Sequence, residues 1–125
     1  MLNDEQKTKD LKQRTKLLAL RVIRLYSSLP ANGAAGVIGR QLLRCGTSVG
    51  AQYREAARAR SAAEFISKIE SATQELDETI YWMELLEESE LTPKHLLADL
   101  KQETVELTRI FVSSALTAKK NKGDA

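Results

Sequence analysis

Apolar positions along the chain return every three or four residues in four separate stretches. From about Asp4 to Ser28, Leu11, Thr15, Leu18, Val22 and Leu25 recur between Lys12, Arg14, Arg21 and Arg24, which predicts an amphipathic helix. The pattern stops at Leu29-Pro30-Ala31-Asn32-Gly33, because proline disfavours helical geometry in the residue before it and Asn-Gly is a turn pair. From about Ala34 to Ala59, Ile38, Leu42, Cys45, Val49, Tyr53 and Ala56 share one broad face. Gly36, Gly39, Gly46 and Gly50 interrupt this helix, each at a cost of about 1 kcal/mol. Close approach of another backbone explains such a density of small residues better than a loose or kinked helix does.

The third stretch opens at Ser61-Ala62-Ala63-Glu64, a capping box, and runs to about Glu90 with Phe65, Ile69, Ala72, Leu76, Ile80 and Met83 as its apolar stripe. The fourth opens at Thr92-Pro93, a cap residue followed by proline at the first helical position, and runs from 93 to about 118 with Leu97, Leu100, Leu107 and Phe111 inward. Residues 119–125 read as a flexible basic tail. No stretch alternates as a strand would. Short connections between long helices favour antiparallel neighbours, so the expectation is an all-α, up-down-up-down four-helix bundle in one domain spanning 1–125.

Composition narrows the class. Aromatics are 5% of the 125 residues, so aliphatic side chains fill the core. Cys45 is the only cysteine, so no disulfide forms within the chain, as suits a reducing cytosol. There is no signal peptide and no run of about 18 apolar residues, which points to a cytoplasmic protein of bacterial type without a membrane role.

Net charge is only +2, yet it is unevenly spread. Residues 1–28 hold seven Lys/Arg against three Asp/Glu, 29–60 hold five against one, and 61–91 hold one against nine. Arg40, Arg44, Arg54 and Arg58 fall within about 80° on the polar side of the second helix. Together with Arg21 and Arg24 of the first helix they are the candidate contacts to nucleic-acid phosphates. The competing reading pairs the second helix's arginines with Glu70, Glu75 and Glu78 of the acidic helix. A third places Arg44 and Glu55 in a structural ion pair, within or between subunits. Tyr81, Trp82 and Leu85 lie off the apolar stripe, as a bundle-end cap or as an oligomer contact. His95 is the only histidine and belongs to no ligand cluster, Cys45 sits on an apolar face, and no Walker, G-x-S-x-G or dinucleotide motif occurs. No metal, cofactor or enzymatic activity is expected.

Several ordered motifs resemble one family. They are Ala19-Leu20-Arg21-Val22-Ile23-Arg24-Leu25, then Gln41-Leu42-Leu43-Arg44-Cys45-Gly46-Thr47-Ser48-Val49, then Gly50-Ala51-Gln52-Tyr53-Arg54-Glu55-Ala56. Phe65-Ile66-Ser67-Lys68, Glu75-Leu76-Asp77-Glu78 and Tyr81-Trp82-Met83-Glu84-Leu85-Leu86 complete the series. From about Leu17 to Ala118 the chain resembles the four-helix-bundle proteins encoded in intervening sequences of bacterial 23S ribosomal RNA genes, relatives of the accessory variability protein of diversity-generating retroelements. Gln52 stands where that family usually has Asn, and Gly50 and Ala56 replace the Pro and Gly of many members. The resemblance implies a left-handed bundle that assembles as a homopentamer around a central channel, and it does not imply an enzyme. The retroelement relatives are basic, bind nucleic acid and contact a reverse transcriptase; that activity does not follow from the resemblance itself, and RNA or DNA, with a reverse transcriptase for a member sited in a retroelement, stand as candidate partners. The alternative is an oligomeric scaffold or adaptor that binds only protein.

Overall fold

In a computed structural model, which describes residues 2–124, four helices account for nearly all of the chain. They are α1 (Asp4–Ser28), α2 (Gly33–Ala57), α3 (Ala62–Glu88) and α4 (Lys94–Asp124). No strand occurs among the described residues. Each helix packs against the next in sequence, giving an up-down-up-down bundle, whereas α1 and α4 touch sparingly.

The helix ends follow from local chemistry. Asn3 caps α1, its side chain accepting from the Gln6 amide at 2.8 Å while Gln6 accepts from the Asn3 amide at 3.0 Å. Leu29, ahead of Pro30, is extended and ends α1. Gly33 starts α2 with φ +71°, a conformation that an L side chain strains. Ser61 caps α3 by accepting from the Glu64 amide at 3.1 Å. The expected box is only half made, since Glu64 reaches back to the Arg60 amide at 3.3 Å rather than to Ser61. α3 ends in a Schellman turn: the Leu91 amide donates to the Leu86 carbonyl and the Glu90 amide to that of Glu87, with Glu90 at φ 62°.

Two expectations need correction. The helix expected to begin at Pro93 begins at Lys94; the Thr92 side chain is turned inward, and its hydroxyl makes no hydrogen bond. The flexible tail expected over 119–125 is helical through Asp124, with Ala125 outside the described residues. Lys119 is held by Glu70 of α3 at 3.0 Å, and lysines at a helix C-terminus meet its dipole favourably.

The core is aliphatic. Leu18, Val22, Leu42, Val49, Ile69, Leu76, Met83, Leu86, Leu97, Leu107 and Phe111 are fully buried. Tyr53 stacks on Phe111 at 5.3 Å between ring centres, joining α2 to α4 across the interior. The α3 core line is shifted from the expected stripe. Ile66, Thr79 and Leu86 are buried with Ile69, Ala72, Leu76 and Met83, while Phe65 and Ile80 sit at its margin. Buried Thr15, Thr79 and Thr104 donate their hydroxyls to carbonyls one turn back, so these polar atoms are satisfied inside.

The glycines of α2 do what close packing requires. A Cβ on Gly46 would stand 2.8 Å from a Val22 methyl, and one on Gly50 would stand 3.1 Å from the Thr15 hydroxyl. α1 therefore lies against the bare backbone of α2, which runs unbroken from Gly33 to Ala57.

Candidate nucleic-acid and self-association surfaces

α2 buries Leu42, Cys45, Val49, Tyr53 and Ala56, and this sets its arginines outward. Arg40, Arg44, Arg54 and Arg58 are all exposed. Arg44 alone of the four meets the acidic helix. Its Nη2 donates to Glu78 Oε2 at 2.8 Å and its Nη1 to Glu75 Oε2 at 3.3 Å. The bond to Glu78 raises the Arg44 pKa above the ordinary guanidinium value. Arg40 makes only a long contact, 3.5 Å, from its guanidinium to the Ala31 carbonyl. Arg54 and Arg58 have no carboxylate partner among the described residues.

The expected pairing of the arginine set with Glu70, Glu75 and Glu78 thus reduces to Arg44 with the last two. Glu70 is taken by Lys119 of α4. The Arg44–Glu55 pair is not made within the chain. Eleven residues separate them on one helix, a rise of about 16 Å, beyond side-chain reach. Glu55 instead meets Lys68 of α3 at 3.2 Å.

Arg21 and Arg24 do not join the α2 face. Val22 is the α1 residue that presses on Gly46 of α2. Arg24, two residues on, points about 160° away from it, taking 100° per residue. Arg21 shares the side of Arg14, seven residues earlier, which reaches across to α4. There Arg14 Nη2 lies 2.7 Å from Glu103 and 3.3 Å from Glu106, and the bond to Glu103 raises the Arg14 pKa. This bridge spans 89 positions of sequence, and no local spacing announced it.

Tyr81 is 53% exposed, while Trp82 and Leu85 are half-buried. Trp82 packs against the core cluster and its ring meets Tyr81 edge-on at 5.1 Å; its buried Nε1 has no hydrogen-bond partner. Tyr81, Trp82 and Leu85 follow Glu78 at three, four and seven residues, so they continue the side of α3 that faces Arg44. An open groove of about 800 Å³ lies between the start of α1 and the end of α4, with Leu11, Tyr53, Phe65 and Ile110 along it.

Cys45 is buried, and desolvation pushes its thiol pKa up. Its sulfur lies 3.3 Å from the Thr79 hydroxyl. His95 is exposed at the start of α4. Among the described residues no cluster of three His, Cys, Asp or Glu side chains is placed to hold a metal, and no helix is long and apolar enough to cross a membrane.

Residues 7–113 match the family model of the 23S rRNA-intervening sequence protein. Among solved structures, the chain is similar to a protein with unknown function from the S23 ribosomal protein family of Bacteroides thetaiotaomicron VPI-5482. The two are 34% identical over 87% of this chain and 97% of that one, with a TM-score of 0.81. No curated protein matches.

Proposed function

The chain belongs to the 23S rRNA-intervening sequence protein family, and from that membership we propose a non-enzymatic, self-assembling helical bundle that associates with RNA or DNA through the outer face of α2. The observation that carries the reading is that Arg40, Arg54 and Arg58 project from one side of α2 with no carboxylate partner among the described residues. A structural role as ion-pair partners would require acids to hold them, and the nearby acids are taken by other residues: Glu75 and Glu78 of α3 by Arg44, Glu70 of α3 by Lys119, and Glu55 of α2 by Lys68. Guanidinium groups left in this state bind phosphate bidentately, and each contact releases counterions. A net charge of +2 is weak for one copy, and the homopentamer implied by the family resemblance multiplies the face by mass action.

Binding of this kind carries no base information, so generic RNA and DNA are equivalent probes. Replacing Arg40 and Arg58 by Gln lowers affinity and flattens the plot of log affinity against log salt, by about 0.9 per lost contact on duplex DNA. Far-UV circular dichroism stays unchanged, since neither side chain contributes to the core. Absence of any gel shift with the wild-type protein at low salt would transfer the assignment to an oligomeric scaffold that binds only protein.

A further inference from the structure

At the end of the bundle where the chain turns from α2 into α3, a hollow of about 340 Å³ is lined by Glu55, Arg58, Arg60, Glu64 and Lys68. Its charged groups are engaged unequally. Glu55 holds Lys68 at 3.2 Å, and Glu64 accepts from the Arg60 amide at 3.3 Å, so each acid ties down one side of the hollow. The guanidinium groups of Arg58 and Arg60 are exposed and have no carboxylate partner among the described residues. Arg58 also belongs to the arginine face of α2. Arg40, at the far end of that face, is separated from it by a rise of about 27 Å. The face therefore runs along α2 and ends in this hollow.

We propose that the hollow seats a terminal phosphate of a nucleic-acid strand lying along α2. The proposal rests on the nucleic-acid reading above and adds to it a preference for strand ends. An internal phosphodiester carries a single negative charge and leaves two oxygens free. A terminal phosphomonoester carries about −1.5 to −2 and offers three acceptor oxygens. Three cationic groups around one hollow suit the second better, and a guanidinium binds such oxygens in pairs. Lys68 can join them without leaving Glu55, because an ammonium has three donors. The positive end of α3 opens at the rim and adds to these charges. Two carboxylates in the same hollow disfavour a polyanion running through it, and a single compact end group is the anion they oppose least.

Single strands of one sequence, labelled internally, test this when they end in a 5′-phosphate, a 3′-phosphate or hydroxyls at both ends. Fluorescence anisotropy at low salt should show a phosphate-ended strand bound about tenfold more tightly than the hydroxyl-ended one, as a charge-assisted contact provides. Which phosphate is preferred gives the direction of the strand along α2. Arg60→Gln, outside the α2 face, should abolish the preference and leave binding of the hydroxyl-ended strand unchanged. Arg40→Gln should weaken all three strands alike and keep the preference. Both side chains are exposed, and circular dichroism should match wild type. Equal affinity for the three strands, or a preference that survives Arg60→Gln, would overturn the seat and leave the α2 face standing. Binding of phosphate-ended strands alone would keep the seat and overturn the face. No binding of any strand would overturn both.

Discussion

Val22 of α1 occupies the space where a side chain on Gly46 of α2 would stand, its two methyls 2.8 and 3.0 Å from that missing Cβ. This single fit sets how closely the first two helices approach. Gly46→Ala gains about 1 kcal/mol of helix propensity but forces a β-branched side chain that has one comfortable rotamer. Overpacking of this kind costs about 1–3 kcal/mol, so a net loss of about 1 kcal/mol is expected in urea denaturation. Gly123→Ala, at a position with open space around it, should lose nothing.

Glu90 holds a left-handed conformation that costs an ordinary residue about 1 kcal/mol, and it places a negative charge at the C-terminus of α3. Glu90→Gly should therefore raise stability by about 1 kcal/mol, read as an upward shift of the thermal midpoint with the helical content unchanged.

The thiol of Cys45 titrates above its ordinary value because burial disfavours the thiolate. The folded state thus holds its proton more tightly than the unfolded chain does. The resulting stability is complete below the unfolded thiol pKa, about 8.5, and is lost as pH rises through that value toward the folded one. Tyr53, also raised by burial, adds to the decline at higher pH. Urea midpoints should fall between neutral pH and about pH 9.5, and Cys45→Ala should remove the earlier part of that fall while lowering stability overall by leaving a small void.

Arg44 and Glu78 are each half-exposed, so their 2.8 Å contact is worth little in water. A double-mutant cycle with Arg44→Gln and Glu78→Gln should give a coupling of about 0.2–1 kcal/mol that shrinks on adding salt. A larger coupling would mark a dry contact that the isolated chain does not contain.

What was legible in the sequence is what local chemistry controls. Ser61 ahead of an apolar run, Leu29 ahead of proline, and leucines at helical spacing each act over a few residues, so they announced helices and breaks. The glycines of α2 foretold close packing, since their cost demanded a neighbour. Partner choice was not legible. Whether Arg44 meets Glu55 or Glu78, or Glu70 meets an arginine or Lys119, depends on which helices lie side by side, and those pairs lie 34 and 49 positions apart. Glu90 escaped notice for a different reason: the turn selects a conformation that glycine usually supplies, and nothing in a Glu signals it. Thr92 carried a cap's identity but its hydroxyl was spent inward, a choice made by packing rather than by propensity.

The sparing contact between α1 and α4 has a kinetic meaning. Nearly every tertiary contact joins helices that follow one another in the chain, so little loop-closure entropy must be lost before contacts are gained. Folding can proceed as a series of neighbouring hairpins, without first bringing the two ends together. Such low contact order places the folding rate in the microsecond-to-millisecond range of helical bundles. During synthesis, α1, α2 and α3 can already be packed while α4 is still being made.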